Sequence, residues 1–575
     1  MNDNSYHSSR NTGGVMNFHH LSNSIFNNIS KAYLEDESFR NEFYTYNALD
    51  NSVWASRAKV VDNQEFDRIQ LVEALNEINK RLGASVKTLD NIELLRDSQT
   101  KCVVTGQQTG VLGGPLFTLY KAATTIKKAK ELSVQFNSKV VPIFWMASED
   151  HDFEEAREIG FIDDGKLKTL KVDKKPGRGQ NNPHKTPHNY SYLKEPVGFI
   201  DINTSVKSLL LEARHAFGDS EFEKWCCDVF ENTVLETETL SDWFGRIYLK
   251  LFEDEGLIVL DPLNSKIRKL GTGFLKSAIE KSEEVIELVH KAGLSLKSHG
   301  YTPLITPREG ATGLYLLERG ERLPITRECS MYGVREDQER EAFTLSRLQG
   351  LMEKHPEDFS TNVILRPIIQ DVYLPTIAYV AGPGEASYYA QLKHVYKLFD
   401  MEMPIILPRE NFTVYSSDSV ESMEQVNVSL DEILSTDQIQ LERKLLKLKD
   451  KIDVDGLFDG FSSEFDEMYH SLVATLENID GEINNISEKN LELIHQQFNY
   501  LKQKSHRFHR KNHKEELKEI KGLYQWLKPF GGLQERKLGL VNVLSQTGPV
   551  FIDYIVNKLE YDIKHRAVLI TRGKV

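Results

Sequence analysis

The spacing of apolar residues changes along the chain, and each spacing predicts a different kind of element. Residues 16 to about 100 carry apolar side chains at helical intervals, which predicts a helical layer that covers a sheet. Farther along, short uninterrupted apolar runs predict strands that are buried on both faces, as in a parallel sheet. These runs lie at residues 102–105, 140–146, 256–262, 363–365 and 377–380. Helical spacing resumes at Leu116, so the sequence predicts an α/β fold.

A third pattern occupies residues 465–500, where mostly apolar positions recur alternately four and three residues apart. This spacing is typical of a coiled coil. A shorter helix with the same spacing precedes it at 441–452, and the Gly- and Asp-rich residues 453–460 predict the hairpin turn between them. Together they predict an antiparallel arm in which Asn490 fixes the register and whose exposed seam pairs with a second copy of the chain.

The predicted organisation has four parts. They are a disordered tail at 1–15, a core at 16–410 with insertions at about 165–250 and 275–345, a helical coiled-coil arm at 411–515, and a C-terminal segment at 516–575 that packs on the core. The first fifteen residues lack the apolar stretch of a signal peptide. Met16 is an alternative start to Met1.

Composition and charge narrow the class of protein. The formal net charge of −14 argues against binding of nucleic acid by the surface as a whole. No apolar stretch approaches the roughly 18–20 residues that span a bilayer, so no membrane partner is predicted. The four cysteines form no C-x-x-C pair, which favours a reducing cytoplasm over a disulfide framework or a zinc ribbon. The basic stretch at 502–514 is either a solvated helix face or a polyanion site.

The first apolar run ends in a glycine-rich turn, TGQQTGVLGGP, at residues 105–115. Such a turn lets a ligand approach the main chain, and amide side chains bind carboxylate, amide or hydroxyl groups. The turn lacks the ending of a Walker loop and the spacing of a dinucleotide fingerprint. It predicts a catalytic role for Gln107 and ligand contacts at Gly106, Gln108, Gly110, Gly113 and Gly114, with simple turn chemistry as the alternative.

The second run leads directly into a polar cluster of Ser148, Glu149, Asp150, His151 and Asp152. Ligands of open α/β sheets lie beyond the carboxyl ends of the strands, so this cluster and the glycine turn predict the active site. Histidine changes its charge near neutral pH, which makes His151 the candidate acid or base, oriented by Asp150 or Asp152. A metal site is disfavoured, because consecutive residues point in different directions. Capping of the next helix is the other alternative.

A second informative stretch, residues 363–393, contains a polar, proline-broken segment and then the sequence GPGE at 382–385, which begins a predicted helix. The free N–H groups at a helix start form a seat for an anion. Arg366 either binds a carboxylate or phosphate through two hydrogen bonds or pairs with Asp371. The predicted ligand contacts here are Arg366, Gln370, Asp371, Gly382, Gly384, Glu385 and Tyr388.

Four segments stand out together: VTGQQTGVLGGPLFTLYKA, FWMASEDHDFEE, LRPIIQDVYLPTIAYVAGPGEASYYAQL and LQERK. In their order and spacing they resemble the cysteine ligases of bacillithiol biosynthesis, and the resemblance extends from Met16 onward. It implies a Rossmann-like core with connecting insertions and a C-terminal coiled coil that forms a homodimer. It also implies that L-cysteine is joined to the amine of glucosaminyl-malate by an amide bond, the last step of the pathway.

The core of that family is similar to class I aminoacyl-tRNA synthetases and pantothenate synthetase, which activate a carboxylate with ATP. Those enzymes have a histidine-rich loop where this chain has Gln107 and Gln108. The resemblance implies binding of ATP or ADP, and it leaves open how the carboxyl group is activated. No metal is predicted. The resulting hypothesis places the activated carboxyl on the turn at 106–114, the amine proton on His151, and the malate carboxylates on Arg366 and the helix start at 382–385.

Two other functions fit the same sequence. One is a nucleotidyltransferase-type ligase of a different acid and amine. The other is a non-catalytic dimeric scaffold whose coiled coil recruits partners. An accumulation of glucosaminyl-malate derivatives in a deletion strain would favour the cysteine ligase over the scaffold.

Overall fold

The computed structural model describes residues 17–21, 28–173, 195–202, 204–318, 320–336 and 339–570. The tail predicted at 1–15 lies outside these ranges, as does part of the insertion predicted at about 165–250. The chain divides into two compact units. The first unit is Met1–Val414 with Gln534–Val575, and the second is Tyr415–Leu533.

The strands form one parallel sheet, one five-stranded antiparallel sheet and two smaller sheets. They are β1 (Asn17–His20), β2 (Lys101–Gln107), β3 (Val140–Met146), β4 (Glu158–Asp163), β5 (Lys166–Lys171), β6 (Ile258–Leu260), β7 (Ala311–Glu318), β8 (Glu321–Glu328), β9 (Met331–Glu336), β10 (Glu339–Phe343), β11 (Phe359–Thr361), β12 (Thr376–Ala381), β13 (Ile405–Pro408), β14 (Asn411–Ser416) and β15 (His565–Ile570).

The α-helices are, in chain order, α1 (Asn28–Glu35), α2 (Glu37–Phe43), α3 (Ser52–Asp62), α4 (Arg68–Arg81), α5 (Val86–Leu94), α6 (Leu116–Phe136), α7 (Phe153–Ala156), α8 (Thr204–Phe217), α9 (Glu223–Cys226), α10 (Asn232–Leu235), α11 (Leu240–Leu251), α12 (Ser265–Leu270), α13 (Thr272–Glu280), α14 (Ser282–Ser298), α15 (Leu345–Lys354), α16 (Arg366–Tyr373), α17 (Pro383–Tyr389), α18 (Lys393–Leu398), α19 (Ser417–Val426), α20 (Leu430–Ser435), α21 (Gln438–Asp450), α22 (Val454–Leu476), α23 (Ile483–Asn512), α24 (Lys514–Leu527), α25 (Gln534–Lys537) and α26 (Val541–Asp553). Among the described residues, no helix combines the length and apolar character that a membrane crossing requires.

The parallel sheet has the strand order β13-β12-β2-β3-β6, and each neighbouring pair runs in the same direction. β3 coincides with the apolar run predicted at 140–146, and all of its residues are buried. The other strands confirm the runs predicted at 102–105, 256–262 and 377–380. Because the strands are parallel, their carboxyl ends meet at one edge of the sheet, where a ligand is expected.

The strand predicted at 363–365 is wrong. The side chain of Asn362 accepts hydrogen bonds from the N–H groups of Ile364 at 2.9 Å and Leu365 at 3.2 Å, which is the geometry of a helix start. These residues form a turn that leads into α16. The nearby strand is β11, which pairs with β7. A short apolar run is equally compatible with a buried turn and a buried strand.

Helices cover the parallel sheet, as sheets of this kind require. Most described residues before residue 100 lie in α1–α5, which confirms the helical layer predicted there. Trp54 of α3 and Leu132 of α6 share one hydrophobic core with Val103, Ile377 and Ile405 of the strands. The inward faces of the helices and the buried strands therefore form a continuous core.

The antiparallel sheet has the order β10-β9-β8-β7-β11. Four of its strands fall within the insertion predicted at about 275–345, after α13 and α14, which both contact β7. Leu314, Leu323 and Ile325, on β7 and β8, are buried. The sheet carries Tyr315 and Arg322, which reach the cavity described below.

The segment from Gln534 onward belongs to the first unit and binds β14 and the residues before it. Gln534 accepts a hydrogen bond from the N–H of Val414 at 2.7 Å and donates one to its carbonyl oxygen at 2.8 Å. Glu535 forms two hydrogen bonds with Arg409, at 2.9 and 2.6 Å, and both side chains are almost completely buried. Burial raises the pKa of Glu535, but Arg409 more than offsets this, so the pKa lies below its usual value.

In the second unit, α22 and α23 form an antiparallel hairpin. The rings of Phe461 and Phe465 each lie 5.2 Å from that of Phe498. The hydroxyl of Tyr469 donates a hydrogen bond to Oδ1 of Asn490 at 3.0 Å. Asn490 therefore lies at the contact between the two helices, where a polar pair permits only one alignment of the helices.

The hairpin turn predicted at 453–460 is wrong. Asp453 accepts a hydrogen bond from the N–H of Gly456 at 3.1 Å, so it caps a helix that begins at Val454. The chain reverses at 477–482, between α22 and α23. Aspartate is favoured both in turns and at helix starts, so its presence alone did not distinguish the two structures.

Glu535→Ala tests the link between α25 and the core. The mutation leaves Arg409 buried without its counter-charge, so we expect the free energy of unfolding to fall by about 3–5 kcal/mol. Urea unfolding followed by circular dichroism measures the change. The control is Glu353→Ala, which removes an exposed partner of Lys276 and should leave the unfolding midpoint unchanged. Equal midpoints for Glu535→Ala and wild type would contradict the assignment.

Candidate active site

A cavity of about 1160 Å³ lies at the carboxyl ends of β2, β3 and β12, and β7 and β8 complete its lining. Small-molecule sites usually occupy about 300–1,000 Å³, so this cavity has room for two reactants. Eleven of the site residues predicted above, catalytic and ligand-binding, line it: Gly106, Gln107, Gln108, Glu149, Asp150, His151, Arg366, Gly382, Gly384, Glu385 and Tyr388.

The ammonium group of Lys121, on α6, is the centre of a buried cluster in this lining. Its Nζ donates to the carbonyl oxygen of Gly106 at 2.5 Å and to Oε1 of Gln107 at 3.1 Å, and it lies 2.5 Å from Oε2 of Glu385. Each of its three protons therefore has an acceptor. Burial lowers the pKa of Lys121, and the attraction of Glu385 offsets part of that effect.

Glu385 completes the cluster from the first turn of α17. Its Oε2 accepts a hydrogen bond from the N–H of Gly382, and its Oε1 accepts one from the hydroxyl of Tyr379, both at 2.7 Å. Burial raises the pKa of Glu385, but Lys121 and these donors more than offset it and hold the pKa below its usual value. The Gly382 N–H in the predicted anion seat is therefore bound by the chain's own carboxylate.

Asp150 connects the glycine turn to His151. Nε2 of Gln108 donates to Oδ2 of Asp150 at 2.5 Å, and the backbone N–H of His151 donates to Oδ1 at 2.7 Å. The imidazole Nδ1 of His151 lies 3.6 Å from the same Oδ1. Asp150 therefore binds the backbone of His151 and lies beside its imidazole, with Gln108 holding the carboxylate from the other side.

Arg322, on β8, approaches the same pair from the antiparallel sheet. Its NH1 lies 3.4 Å from Nδ1 of His151. The guanidinium is fixed by hydrogen bonds to Oγ of Ser360 at 3.0 Å and to the carbonyl oxygen of Thr361 at 2.7 Å. It also stacks on the ring of Tyr315, with 4.1 Å between its Cζ and the ring centre. Two sheets that are distant in sequence thus meet at His151.

Arg366 does not form an ion pair with Asp371, which was one of the two alternatives given for it above. Its NH1 donates to Oε1 of Gln370 at 3.1 Å, and its NH2 donates to the hydroxyl oxygen of Tyr388 at 3.4 Å. Its Cζ lies 5.8 Å from the ring centre of Trp145. Burial raises the pKa of Tyr388 to about 12, so the hydroxyl remains protonated at neutral pH. The hydrogen-bond partners of the guanidinium are therefore neutral.

Asp371 and Gln370 do not line the cavity, unlike Arg366 and Tyr388. Asp371 accepts hydrogen bonds from the hydroxyl of Tyr396 at 2.8 Å and from Nε2 of Gln370 at 3.1 Å. Burial raises the pKa of Asp371, and these donors together with the nearby Arg57 offset part of the rise. Gln370 thus connects Arg366 to the protein interior.

The other predicted site residues outside the cavity lining contact parts of the protein itself. Ser148 donates a hydrogen bond to Oδ1 of Asp261 at 2.5 Å, in the interior. Asp152 accepts one from the N–H of Glu155 at 3.2 Å and so caps α7, the alternative noted for this cluster. Gly110, Gly113 and Gly114 do not line the cavity.

Gly113 shows what the far part of the glycine turn requires. Its φ is +82°, a region that side chains with a Cβ rarely adopt. A Cβ at this position would lie 2.7 Å from Cδ1 of Leu540 and 3.2 Å from Cγ2 of Ile247. The position therefore requires glycine for close packing against the segment after Gln534.

Glu149 lines the cavity but is already paired. Its Oε2 accepts a hydrogen bond from NH2 of Arg268 at 2.6 Å, and both side chains are buried. Arg268 also donates to the carbonyl oxygens of Pro262 and Phe359. The pair anchors the end of β3 to α12 and β11, which is a structural role beside the cavity.

Several lining residues were missed by the sequence reasoning: Lys121, Arg308, Arg322, Tyr379, Arg409 and Arg536. Lys121 had one usable signal, because it lies within an otherwise apolar helical stretch where an unpaired lysine would be costly. Arg322 lies on a short strand of mixed character and had no local signal. Its position follows only from the packing of the antiparallel sheet.

Comparison with known proteins matches two consecutive parts of the chain to family models. The family model "Bacillithiol biosynthesis BshC, N-terminal Rossmann-like domain" matches residues 16–410, and "Bacillithiol biosynthesis BshC, C-terminal coiled-coil domain" matches residues 412–569. These matches confirm the predicted fold class, a Rossmann-like core with a helical coiled coil.

Curated relatives carry the name "Putative cysteine ligase BshC". The protein from Natranaerobius thermophilus is 31% identical over 88% of this chain and 90% of its own length. That from Symbiobacterium thermophilum is 30% identical over 93% and 96%, and that from Bacillus cytotoxicus is 29% identical over 89% and 92%. The similarity thus covers nearly the whole of each protein.

Two glycines that were predicted as ligand contacts should respond differently to substitution by alanine. Gly113→Ala introduces backbone strain and a clash with Leu540, so we expect the free energy of unfolding to fall by about 1–3 kcal/mol. Gly384→Ala is the control, because a Cβ there has no neighbour within 4 Å. Urea unfolding of both variants measures the difference. An unchanged midpoint for Gly113→Ala would contradict the packing role.

Proposed function

The chain belongs to the BshC family of bacillithiol biosynthesis, and on that premise we propose that it joins L-cysteine to glucosaminyl-malate, the last step of that synthesis. As a member of this family the chain is a ligase, an enzyme that acts on small molecules. In the proposed reaction the amine nitrogen of glucosaminyl-malate bonds to the carboxyl carbon of cysteine. The carboxyl oxygen leaves with an activating group, and the amine loses a proton.

The environment of the Arg366 guanidinium is the observation that supports this proposal most strongly. It is a cation in the cavity wall whose hydrogen bonds go to neutral oxygens, and among the described residues it forms no ion pair. The carboxylate of Glu385 attracts the guanidinium from a distance, and a ligand carboxylate in direct contact would stabilise it further. Malate supplies carboxylates that suit the planar guanidinium, and the protonated hydroxyl of Tyr388 can donate a further hydrogen bond.

The amine proton is proposed to pass to His151. Attack on an activated carboxyl requires a positioned base, and Asp150 together with Gln108 holds His151 at the cavity wall. Both glutamines of the turn are bound to other residues of the site, Gln107 to Lys121 and Gln108 to Asp150. We therefore assign the glutamine side chains to positioning of the site rather than to direct contact with phosphate.

ATP is proposed as the activating cosubstrate. Its phosphates require cationic donors, and Arg308 and Arg536 line the cavity with exposed side chains. The residues present thus fit a nucleotide, which when bound would supply a good leaving group for the cysteine carboxyl. The product, AMP or ADP, distinguishes an adenylate from an acyl phosphate.

A reducing, cytoplasmic location is proposed from the cysteines. Cys102, Cys226, Cys227 and Cys329 are all free thiols. Cys329 is exposed, and an exposed free thiol persists most readily where the surroundings are reducing.

A homodimer through the hairpin of α22 and α23 is proposed from its exposed apolar side chains. In the single chain Leu472 of α22 is 55% exposed and Leu493 of α23 is 58% exposed. Further exposed apolar residues of the hairpin are Leu457, Phe461, Met468, Ile486, Tyr500, Leu501 and Phe508. A second copy of the same hairpin would bury this surface, as coiled-coil partners do.

Purified full-length protein with L-cysteine, glucosaminyl-malate and ATP should yield bacillithiol, detected by mass, and one equivalent of AMP or ADP. His151→Ala should lower kcat by about 10²–10⁴-fold, since a general base is lost. Arg366→Ala should raise the KM for glucosaminyl-malate by roughly 10–100-fold, the value of a charge-assisted hydrogen bond. His215→Ala, at an exposed site of the first unit, is the matched control.

Three outcomes would count against the proposal. Full activity of His151→Ala would contradict the role of His151 as general base. An unchanged KM for Arg366→Ala would contradict the role of Arg366 in binding the malate carboxylate. Absence of product from these substrates, with turnover of a different acid and amine, would favour another ligase. Absence of any turnover, with an unchanged thiol pool in a deletion strain, would favour the scaffold.

The dimer proposal predicts a mass in light scattering of twice 65.9 kDa. Leu472→Asp combined with Leu493→Asp should shift the protein to the monomer, because two buried charges would oppose pairing. Val134→Asp is the control, since Val134 of α6 is 85% exposed and lies outside the hairpin. A wild-type protein that remains monomeric at assay concentration would contradict the dimer.

A further inference from the structure

Three metal-ligand side chains meet at the base of the helical hairpin, in the second unit. Asp450 is the last residue of α21, His509 lies near the end of α23, and His513 follows that helix directly. Nε2 of His509 lies 2.6 Å from Oδ2 of Asp450, and Nε2 of His513 lies 2.9 Å from Oδ1. One ligand atom from each residue lies within 4.8 Å of the others.

The two histidines are four residues apart, which brings their imidazoles to one face of the helical segment. His509 is more than nine-tenths buried. Among the described residues, its Nε2 has no hydrogen-bond partner, although Oδ2 of Asp450 is so close. The two atoms are thus near each other without the alignment of a hydrogen bond. A buried ring nitrogen that hydrogen bonds leave unsatisfied is open to an ion that would bind both it and the nearby carboxylate.

His513 has a second polar neighbour on the opposite side of its ring. Its Nδ1 lies 3.5 Å from Oε1 of Glu516, on α24. Histidines that bind a metal through one nitrogen commonly direct the other to a carboxylate, which fixes the ring and raises its basicity. His513 is therefore surrounded in the way that a metal ligand usually is.

We propose that Asp450, His509 and His513 bind a divalent transition-metal ion, with Zn²⁺ as the best-suited ion. Two imidazoles and one carboxylate are a common zinc donor set, and a water molecule would complete the tetrahedron. The ion would join the end of α21 to the end of α23. It would close the loop that contains α22 and most of α23, so its role would be structural and separate from the ligase cavity.

Other histidine–aspartate pairs along α23 provide the contrast. His495 lies 2.8 Å from Asp466, and His506 lies 3.2 Å from Asp455. Each of these carboxylates faces one imidazole. Within the described ranges, three suitable ligands converge only at Asp450. These pairs supply control substitutions on the same helix that remove a histidine from an ordinary ion pair.

The test uses untagged full-length protein freed of metal by chelator dialysis and then titrated with Zn²⁺ in a calorimeter. We expect one equivalent to bind with a Kd of about 1 µM or tighter. Asp450→Asn, His509→Gln and His513→Gln should each abolish this binding. Glu516→Gln should weaken it by roughly 10–100-fold, as loss of an outer carboxylate does. His495→Gln and His506→Gln should bind as wild type does.

A second measurement keeps the result clear if a variant folds poorly. Co²⁺ added to the metal-free wild-type protein should give the visible absorption of a four-coordinate site, and one equivalent of Zn²⁺ should remove it. The zinc-bound protein should also unfold at higher urea than the metal-free protein, by an amount that grows with free Zn²⁺.

The proposal is overturned if the wild-type protein binds no Zn²⁺, or binds it no more tightly than His509→Gln. It is also overturned if the control variants lose binding to the same extent, because the ion would then occupy scattered surface histidines. A cluster held only by hydrogen bonds would give no Co²⁺ absorption and no dependence of unfolding on Zn²⁺.

Discussion

The geometry of the candidate active site depends on the buried ion pair between Lys121 and Glu385. Moving two charges out of water is costly, and it is tolerated only when every donor and acceptor of the pair is satisfied. The ammonium donates hydrogen bonds to the carbonyl oxygen of Gly106 at the end of β2 and to Gln107, and it pairs with Glu385. Glu385 in turn accepts hydrogen bonds from Gly382 and Tyr379. The pair thus joins β2, α6, β12 and α17, and it fixes the frame from which the glycine turn and Arg366 reach the cavity.

The parts of the protein that the sequence predicted correctly are those with a local pattern. Strands buried on both faces produce uninterrupted apolar runs, so β3 was predicted to the residue. In a parallel sheet the carboxyl ends share an edge, so the position of the cavity followed from the strands. Asp150, His151 and Arg366 were found because they are chemically reactive types that follow such strands directly or lie in a polar break between them.

The parts that were missed depend on contacts between distant segments. Arg322 reaches His151 across 171 positions of the chain, and no pattern around either residue indicates the contact. The ion pair of Glu149 with Arg268 was not predicted, because the two residues are 119 positions apart. Gly113 and Asp152 have residue types that suit both binding and local structure, and only the packing around each decides between them. The position of the hairpin turn was predicted wrongly for the same reason, because Asp453 caps a helix and does not form a turn.

The order of segments along the chain has a consequence for synthesis on the ribosome. The second unit interrupts the first between Val414 and Gln534, and α25, α26 and β15 are translated only after it. Until they emerge, Arg409 lacks Glu535 and β1 lacks its partner strand. The first unit therefore cannot complete its folding until these segments are made. The helical hairpin depends on contacts close in sequence and can form before then. At that stage the apolar surface that these segments cover in the folded protein is still exposed, so the synthesis of residues 534–570 is the step that completes the core.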